Sequence, residues 1–216
     1  MNDALVRPLP LTALRHALEE RGLAVETNDA DADDVVIRGV EHHSARIDPG
    51  DVFLAWRGTA FDAHQRLPEA AAAGAVAAIV ESFSPDVDIP QLRVENGRAG
   101  AAVASDILYG SPWREMHLTA ITGTNGKTTT AQLVRWVLST GDASVASIGT
   151  LGLVDPDGQV RDGTESLTTP GPVTVSRWLA ELRAAGATAA VLEASSHALD
   201  QHRLDGLRFD VAVFTN

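Results

Sequence analysis

The stretch Leu118-Thr119-Ala120-Ile121-Thr122-Gly123-Thr124-Asn125-Gly126-Lys127-Thr128-Thr129-Thr130 sets the architecture of this chain. Leu118 to Thr122 is a short apolar run that reads as a strand. Leu133, Val134, Val137 and Leu138 then mark one face of a helix that closes at Gly141. A strand handed over to a helix through a glycine-bearing loop ending in Lys-Thr is the setting of a phosphate loop. Gly123 and Gly126 let the backbone curl so that successive N–H groups face phosphate oxygens. The start of the helix adds its positive dipole end, Lys127 an ammonium for β- and γ-phosphates, and Thr128 a hydroxyl for Mg²⁺. The general pattern G-x-x-x-x-G-K-[ST] asks for Gly at position 121, where this chain has Ile121, so the loop is a shortened variant. The competing reading is a glycine turn with a solvent lysine. Residue types, spacing and context together favour phosphate binding.

Outward from the loop, Val145 to Ile148, Ala189 to Leu192 and Val211 to Phe214 read as further buried strands. Between them Pro172 sits at a plausible first helical position, with Trp178, Leu179 and Leu182 as the apolar face of that helix. Upstream, Leu11, Leu14 and Leu18 predict a helix stopped by Gly22. Val35 to Ile37, Val52 to Trp56 and Val76 to Val80 predict strands, and Ala70 to Ala73 and Ala99 to Leu108 predict helical segments. Alternating strands and helices predict an α/β fold with parallel sheets. Ser111-Pro112-Trp113-Arg114 reads as a junction, dividing the chain into a small α/β domain, 1–112, and a phosphate-loop domain, 113–216.

The chain has 216 residues, 44% hydrophobic and 21% charged, with a formal net charge of −12 and no Cys. Absence of Cys excludes a disulfide framework and a Cys-based zinc site. The negative balance lacks the positive footprint of a sequence-independent nucleic-acid binder, so an anionic ligand is expected to be held by local devices. No apolar stretch is long enough to span a bilayer, and the start carries no signal-peptide pattern. Asp29 to Asp34 reads as a solvated acidic turn, because the Gly and distal Glu of a calcium loop are missing. His42 and His43, placed on a strand, are expected to point to opposite faces and to serve at the surface. His197 and His202 are expected to position or pack, since Mg²⁺ prefers oxygen. Ser195-Ser196-His197 lacks the G-x-S-x-G of a nucleophile elbow. Trp136 and Trp178 read as core.

The loop Gly123-Thr124-Asn125-Gly126-Lys127-Thr128-Thr129 after a strand resembles the ATP loop of the Mur ligases and their relatives, the folylpolyglutamate and cyanophycin synthetases. Glu193-Ala194-Ser195-Ser196-His197-Ala198-Leu199 resembles the Glu-x-Ser-Ser-His-x-Leu signature of the E-type Mur ligases, which add a diamino acid to a UDP-linked muramoyl dipeptide. Thr168-Thr169-Pro170 matches the family's Thr-Thr pair, Gly149-Thr150-Leu151-Gly152 a family glycine turn, and Phe209 to Asn216 the strand that runs into a magnesium-binding histidine segment. Ser44 to Asp51 with Val52 to Ala55 resembles the family's uridine-diphosphate segment. Aligned on Pro49-Gly50-Asp51, His43 stands where the family has Asp and Ala45 where it has Arg. Asp62-Ala63-His64 stands for the usual Asp-Gly-His, and Thr59-Ala60-Phe61 would lie against the uracil.

The resemblance implies an ATP-dependent amide ligase of peptidoglycan precursor synthesis, working through an acyl phosphate. It implies Lys127 and Glu193 as catalytic, and Gly123 to Thr129 on ATP. Thr128 and Glu193 would hold Mg²⁺. Ser44, Thr168, Thr169, Ser195, Gln201 and Arg203 would bind the UDP-N-acetylmuramoyl peptide. ATP, that peptide and a diamino acid are the implied partners of a cytoplasmic monomer. Relatives are much longer, so the chain is expected to be their front portion, without the domain that selects the amino acid. A non-catalytic module binding nucleotide or UDP-sugar, or a related ATP-dependent ligase of another substrate, stays open on the residues.

Overall fold

The computed structural model describes residues 5–29, 35–58, 61–164 and 166–216. The acidic run from Ala30 to Asp34 and the residues Thr59 and Ala60 lie outside them. The chain divides into two compact units, Met1–Gly110 and Ser111–Asn216.

The first unit comprises β1 (Leu9–Pro10), α1 (Leu11–Glu20), β2 (Val25–Thr27), β3 (Val36–Ile37), β4 (Gly39–Glu41), β5 (Asp51–Leu54), α2 (Leu67–Ala73), β6 (Ala77–Val80), β7 (Gln91–Val94) and α3 (Gly97–Leu108). Its five-stranded sheet runs β2-β7-β6-β5-β4. All neighbours are parallel except β2, which is antiparallel to β7. Leu11, Leu14 and Leu18 are buried on one face of α1, as their spacing requires. Asn96 caps α3 by accepting from the amides of Arg98 and Ala99. Strand β7 is invisible to a search for apolar runs because it opens on Gln91. That residue is fully buried, and its carboxamide exchanges two 2.8 Å hydrogen bonds with the backbone of Ser84.

The second unit comprises β8 (His117–Thr122), α4 (Lys127–Leu138), β9 (Val145–Gly149), β10 (Gly152–Val154), β11 (Val160–Arg161), α5 (Pro172–Ala184), β12 (Ala189–Glu193), α6 (Ser196–Asp200) and β13 (Val211–Phe214). Its sheet runs β11-β10-β9-β12-β8-β13. β9, β12, β8 and β13 are parallel, and β10 and β11 add an antiparallel flank. On one face α4 covers Ile121, Val145, Ala189 and Val191 with Ala131 and Val134. On the other, Val175, Trp178, Leu179 and Leu182 of α5 cover Leu118, Ile148, Ala190 and Leu192. Helices on both faces explain why these strands read as continuous apolar runs.

Three sequence expectations fail here: the packing face of α4, Trp136 as core, and a buried last strand. The sheet-facing side of α4 is Ala131 and Val134, whereas Leu133, Val137 and Leu138 are exposed, and Trp136 is 64% exposed. A helix with apolar residues on several sides does not announce which side packs. Val211 to Phe214 form a strand, but not a buried one. β13 is the last strand of the sheet, with β8 as its neighbour, and Phe214 is 74% exposed.

Candidate functional site

The phosphate loop joins the C-terminal end of β8 to α4. Gly123 and Gly126 have φ of +131° and +82°, conformations that side-chain-bearing residues rarely adopt. Helix α4 starts without a side-chain cap, and Thr130 donates to the Gly126 carbonyl at 2.9 Å. The amides of Lys127, Thr128 and Thr129 therefore precede the helical ladder and stand at the positive end of its dipole. The Lys127 ammonium bends back over the loop, donating to the carbonyls of Gly123 at 2.7 Å and Thr124 at 3.2 Å. The other half of the loop is tied down by the end of β13. Asn216 Oδ1 accepts from the amides of Thr124 (2.8 Å) and Asn125 (3.2 Å), and Thr215 Oγ1 donates to the Asn125 carbonyl at 2.6 Å. The Thr124 and Asn125 amides are thus engaged by Asn216, whereas those at the helix start lie outside the helical ladder.

Glu193 ends β12, the strand beside β8, and is 2% exposed. Thr128 Oγ1 donates to its Oε2 at 2.9 Å. Thr150, just beyond β9, donates its amide to Oε1 (3.0 Å) and its hydroxyl to Oε2 (3.1 Å). The carboxylate lies across Gly149, where a Cβ would come within 2.1 Å of Oε1. The loop and the acid, which the sequence keeps 65 residues apart between Thr128 and Glu193, meet because β12 and β8 are parallel neighbours ending on the same side.

Thr169, Ser195 and Arg203 also converge. The buried Thr169 hydroxyl donates to the Glu193 carbonyl (2.7 Å) and accepts from the Ser195 amide (3.1 Å), and Arg203 Nη1 donates to the Thr169 carbonyl at 2.9 Å. Ser195 Oγ caps α6 by accepting from the Ala198 amide. Gln201 donates to the neighbouring Asp200 carboxylate, and Thr168 is half-buried. His197 is exposed, and the His202 ring faces Asp205 at 2.8 Å.

In the first unit Ser44 lines a cleft of about 440 Å³ with His42, Trp56, Phe61, Arg66 and Glu69. β4 ends at Glu41, so His42 and His43 lie off the strand and do not diverge as strand neighbours would. Their ring centroids are 4.1 Å apart, and His42 stacks on Trp56 at 5.6 Å. Glu41 Oε1 accepts from the amides of His42 (2.7 Å) and His43 (3.0 Å) and faces His42 Nδ1 at 3.1 Å. Burial pushes the Glu41 carboxyl up, but these hydrogen bonds and the charge of His42 outweigh it and hold the group at about 2. Asp62 is lowered in the same manner, burial being outweighed by its hydrogen bonds from the His64 ring and amide and by the charge of Arg57. His64 Nε2 accepts from the Glu81 amide at 2.9 Å, which leaves its Nδ1 hydrogen for Asp62.

Reasoning from the sequence missed Thr150, Thr215 and Asn216 as supports of the site, and His42 and Trp56 as walls of the cleft. Thr150 had a usable signal: it follows a parallel strand at the end where such sheets place their ligands.

A strand, a glycine-bearing loop, an uncapped helix start and an acid at the end of the adjacent parallel strand define a phosphate-loop α/β protein. Residues 121–216 match the Mur ligase middle domain. The chain is 43% identical over 185 residues to the UDP-N-acetylmuramyl-tripeptide synthetase of Deinococcus radiodurans, covering 85% of this chain and 38% of that protein. It is 39% identical over 201 residues to the UDP-N-acetylmuramoyl-L-alanyl-D-glutamate--2,6-diaminopimelate ligase of Brucella melitensis, covering 92% and 40%. Among solved structures, a UDP-N-acetylmuramoyl-L-alanyl-D-glutamate--2,6-diaminopimelate ligase superposes with a TM-score of 0.73 at 28% identity, over 87% of this chain and 38% of that one. MurF from Acinetobacter baumannii shares the fold, with a TM-score of 0.66 at 24% identity over 98% and 42% of the two chains. Residues 121–216 thus belong to the Mur ligase middle-domain family, and the chain is similar to Mur ligases over most of its length. It spans about two fifths of the length of these relatives.

Proposed function

We propose that this chain is the nucleotide-binding and UDP-sugar-binding portion of an ATP-dependent ligase of peptidoglycan precursor synthesis. The reaction adds a diamino acid to UDP-N-acetylmuramoyl-L-alanyl-D-glutamate. The observation that carries this reading is the hydrogen bond from Thr128, on the phosphate loop, to the buried carboxylate of Glu193. In this reading residues 1–112 recognise the UDP-muramoyl group, with Ser44 in the 440 Å³ cleft, and residues 113–216 bind ATP.

The chemistry follows from the donors available. A carboxylate oxygen of the peptide attacks the γ-phosphorus of ATP, the bond to the bridging oxygen breaks, and ADP leaves. The amine nitrogen then attacks the carbonyl carbon of the acyl phosphate, phosphate departs with the C–O bonding pair, and the nitrogen loses its proton to form the amide. Phosphorylation is needed because a carboxylate's own leaving group is oxide. Lys127 and the amides at the start of α4 neutralise the charge that moves between phosphate oxygens. Thr168, Thr169, Ser195, Gln201 and Arg203 serve the muramoyl-peptide side. Thr169 acts there through its bonds to the backbone of Glu193 and Ser195.

Two hydroxyls and a carboxylate are hard oxygen donors, suited to Mg²⁺. Among the described residues no group of three or more His, Cys, Asp or Glu could hold a metal, which fits a cation shared with phosphates and water. Thr128 and Glu193 would hold it. When bound it supplies charge neutralisation at the β- and γ-phosphates. Among the described residues no helix is long and apolar enough to cross a membrane. We assign the reaction to the cytoplasm, where ATP is supplied, and to a monomer. The test is Lys127→Ala in the longer protein: ATP-dependent ligation falls by about 10²-fold or more. Near-normal turnover would overturn the assignment.

A further inference from the structure

We propose that Thr150 is a positioning residue that fixes the Glu193 carboxylate for a divalent cation shared with the phosphate loop; this rests on the nucleotide reading above. Three donors converge on that carboxylate, and Thr150 supplies two of them, its amide to Oε1 and its hydroxyl to Oε2. The third comes from Thr128. The two threonines reach the acid from different elements. Thr128 lies on α4 and Thr150 just beyond β9, the strand on the side of β12 away from β8.

Gly149 makes the arrangement possible. β12 and β9 pair in parallel with Leu192 opposite Ile148, so the next residues along, Glu193 and Gly149, are neighbours. A Cβ at Gly149 would fall 2.1 Å from Oε1, 2.5 Å from Cδ and 2.6 Å from Cγ of Glu193. The side chain therefore lies over bare backbone and is turned toward Thr150. Without that anchor, rotation of the terminal carboxylate is broad and roughly two-fold, and Thr128 alone would hold it. An O–H donor also leaves the lone pairs of its own oxygen unused. Both threonine hydroxyls spend their hydrogens on Oε2, which leaves oxygen lone pairs available for a hard cation. Groups that hold a metal-binding carboxylate in this way are worth about 10- to 100-fold in metal affinity.

The experiment is isothermal titration of the 216-residue chain with ADP, in Mg²⁺ and separately in EDTA, for wild type, Thr150→Val and Thr150→Ser. Valine keeps the shape and the backbone amide and deletes only the hydroxyl. The expected result for Thr150→Val is about tenfold weaker ADP binding in Mg²⁺, with unchanged binding in EDTA and recovery in Thr150→Ser. A Mg²⁺ dependence equal to wild type overturns the proposal. Equal weakening with and without Mg²⁺ also overturns it, since that is the mark of a general disturbance of the loop. Absence of ADP binding by the wild-type chain in either condition overturns the nucleotide reading itself. Gly149→Ala is the second variant: by displacing the carboxylate it reproduces the Mg²⁺-specific loss, and intact Mg²⁺ dependence in a folded Gly149→Ala chain counts against the geometry.

Discussion

At the scale of single residues, the two acids that matter most are held by donors close at hand. Glu41 is the case with a measurable consequence. Its folded value of about 2 lies below the ordinary 4.5, so the folded state binds the proton less readily than the unfolded chain. The sign follows from linkage: the contribution of Glu41 is complete above pH 4.5 and is lost as pH falls from about 4.5 to about 2. Urea midpoints measured across that window are expected to fall for wild type and to fall less steeply for Glu41→Gln. Parallel curves for the two proteins would show that the His42 and His43 amides do not hold the charge as described. Lys127 illustrates the other half of the lesson at this scale. Its place at the junction of loop and helix was legible from its neighbours in sequence, whereas the support given to its loop by Asn216 required a contact across 92 positions from Thr124.

At the scale of elements, caps and faces separate what was readable from what was not. α1 and α5 were legible because their apolar residues fall on one side and that side packs. α4 was legible as a helix but not in its orientation, since Ala131 rather than Leu133 or Val137 meets the sheet. Small residues allow the close approach of a helix to a parallel sheet, and size does not register in an apolar pattern. Asn96 offers a clean test of an element boundary. Its side chain accepts from two amides of the first turn of α3 at 3.1 Å each. Asn96→Ala is expected to lower stability by about 0.5–2 kcal/mol, read from urea unfolding. An unchanged midpoint would mean that those amides find other partners at no net cost.

At the scale of the whole molecule, two opposing tendencies govern association between copies. The net charge of −12 keeps copies apart. The outer edge of β13, with Val211 and Phe214 exposed, offers unpaired backbone and apolar surface. Repulsion is long-ranged and screened by salt, whereas edge pairing is short-ranged and is not. Light scattering is expected to give the monomer mass at low ionic strength and a rising, concentration-dependent mass as salt is added. Phe214→Lys should suppress the rise. A mass independent of salt in the wild-type chain would exclude this balance. Under the proposed nucleotide reading, the same net charge leaves an anionic ligand to local groups such as Lys127 and the α4 amides rather than to a general field.

Amino-acid order alone was enough for the α/β class, the phosphate loop and most strands and helices, because these depend on local periodicity and on residues adjacent along the chain. It also carried the Mur ligase resemblance, through motifs that are contiguous. Strand order, the exposed edge at β13, the outward face of α4 and the grip of Thr150 and Gly149 on Glu193 came only with the folded chain. Each of these rests on which strand lies beside which. That pairing depends on contacts between residues far apart in sequence, which no local pattern records.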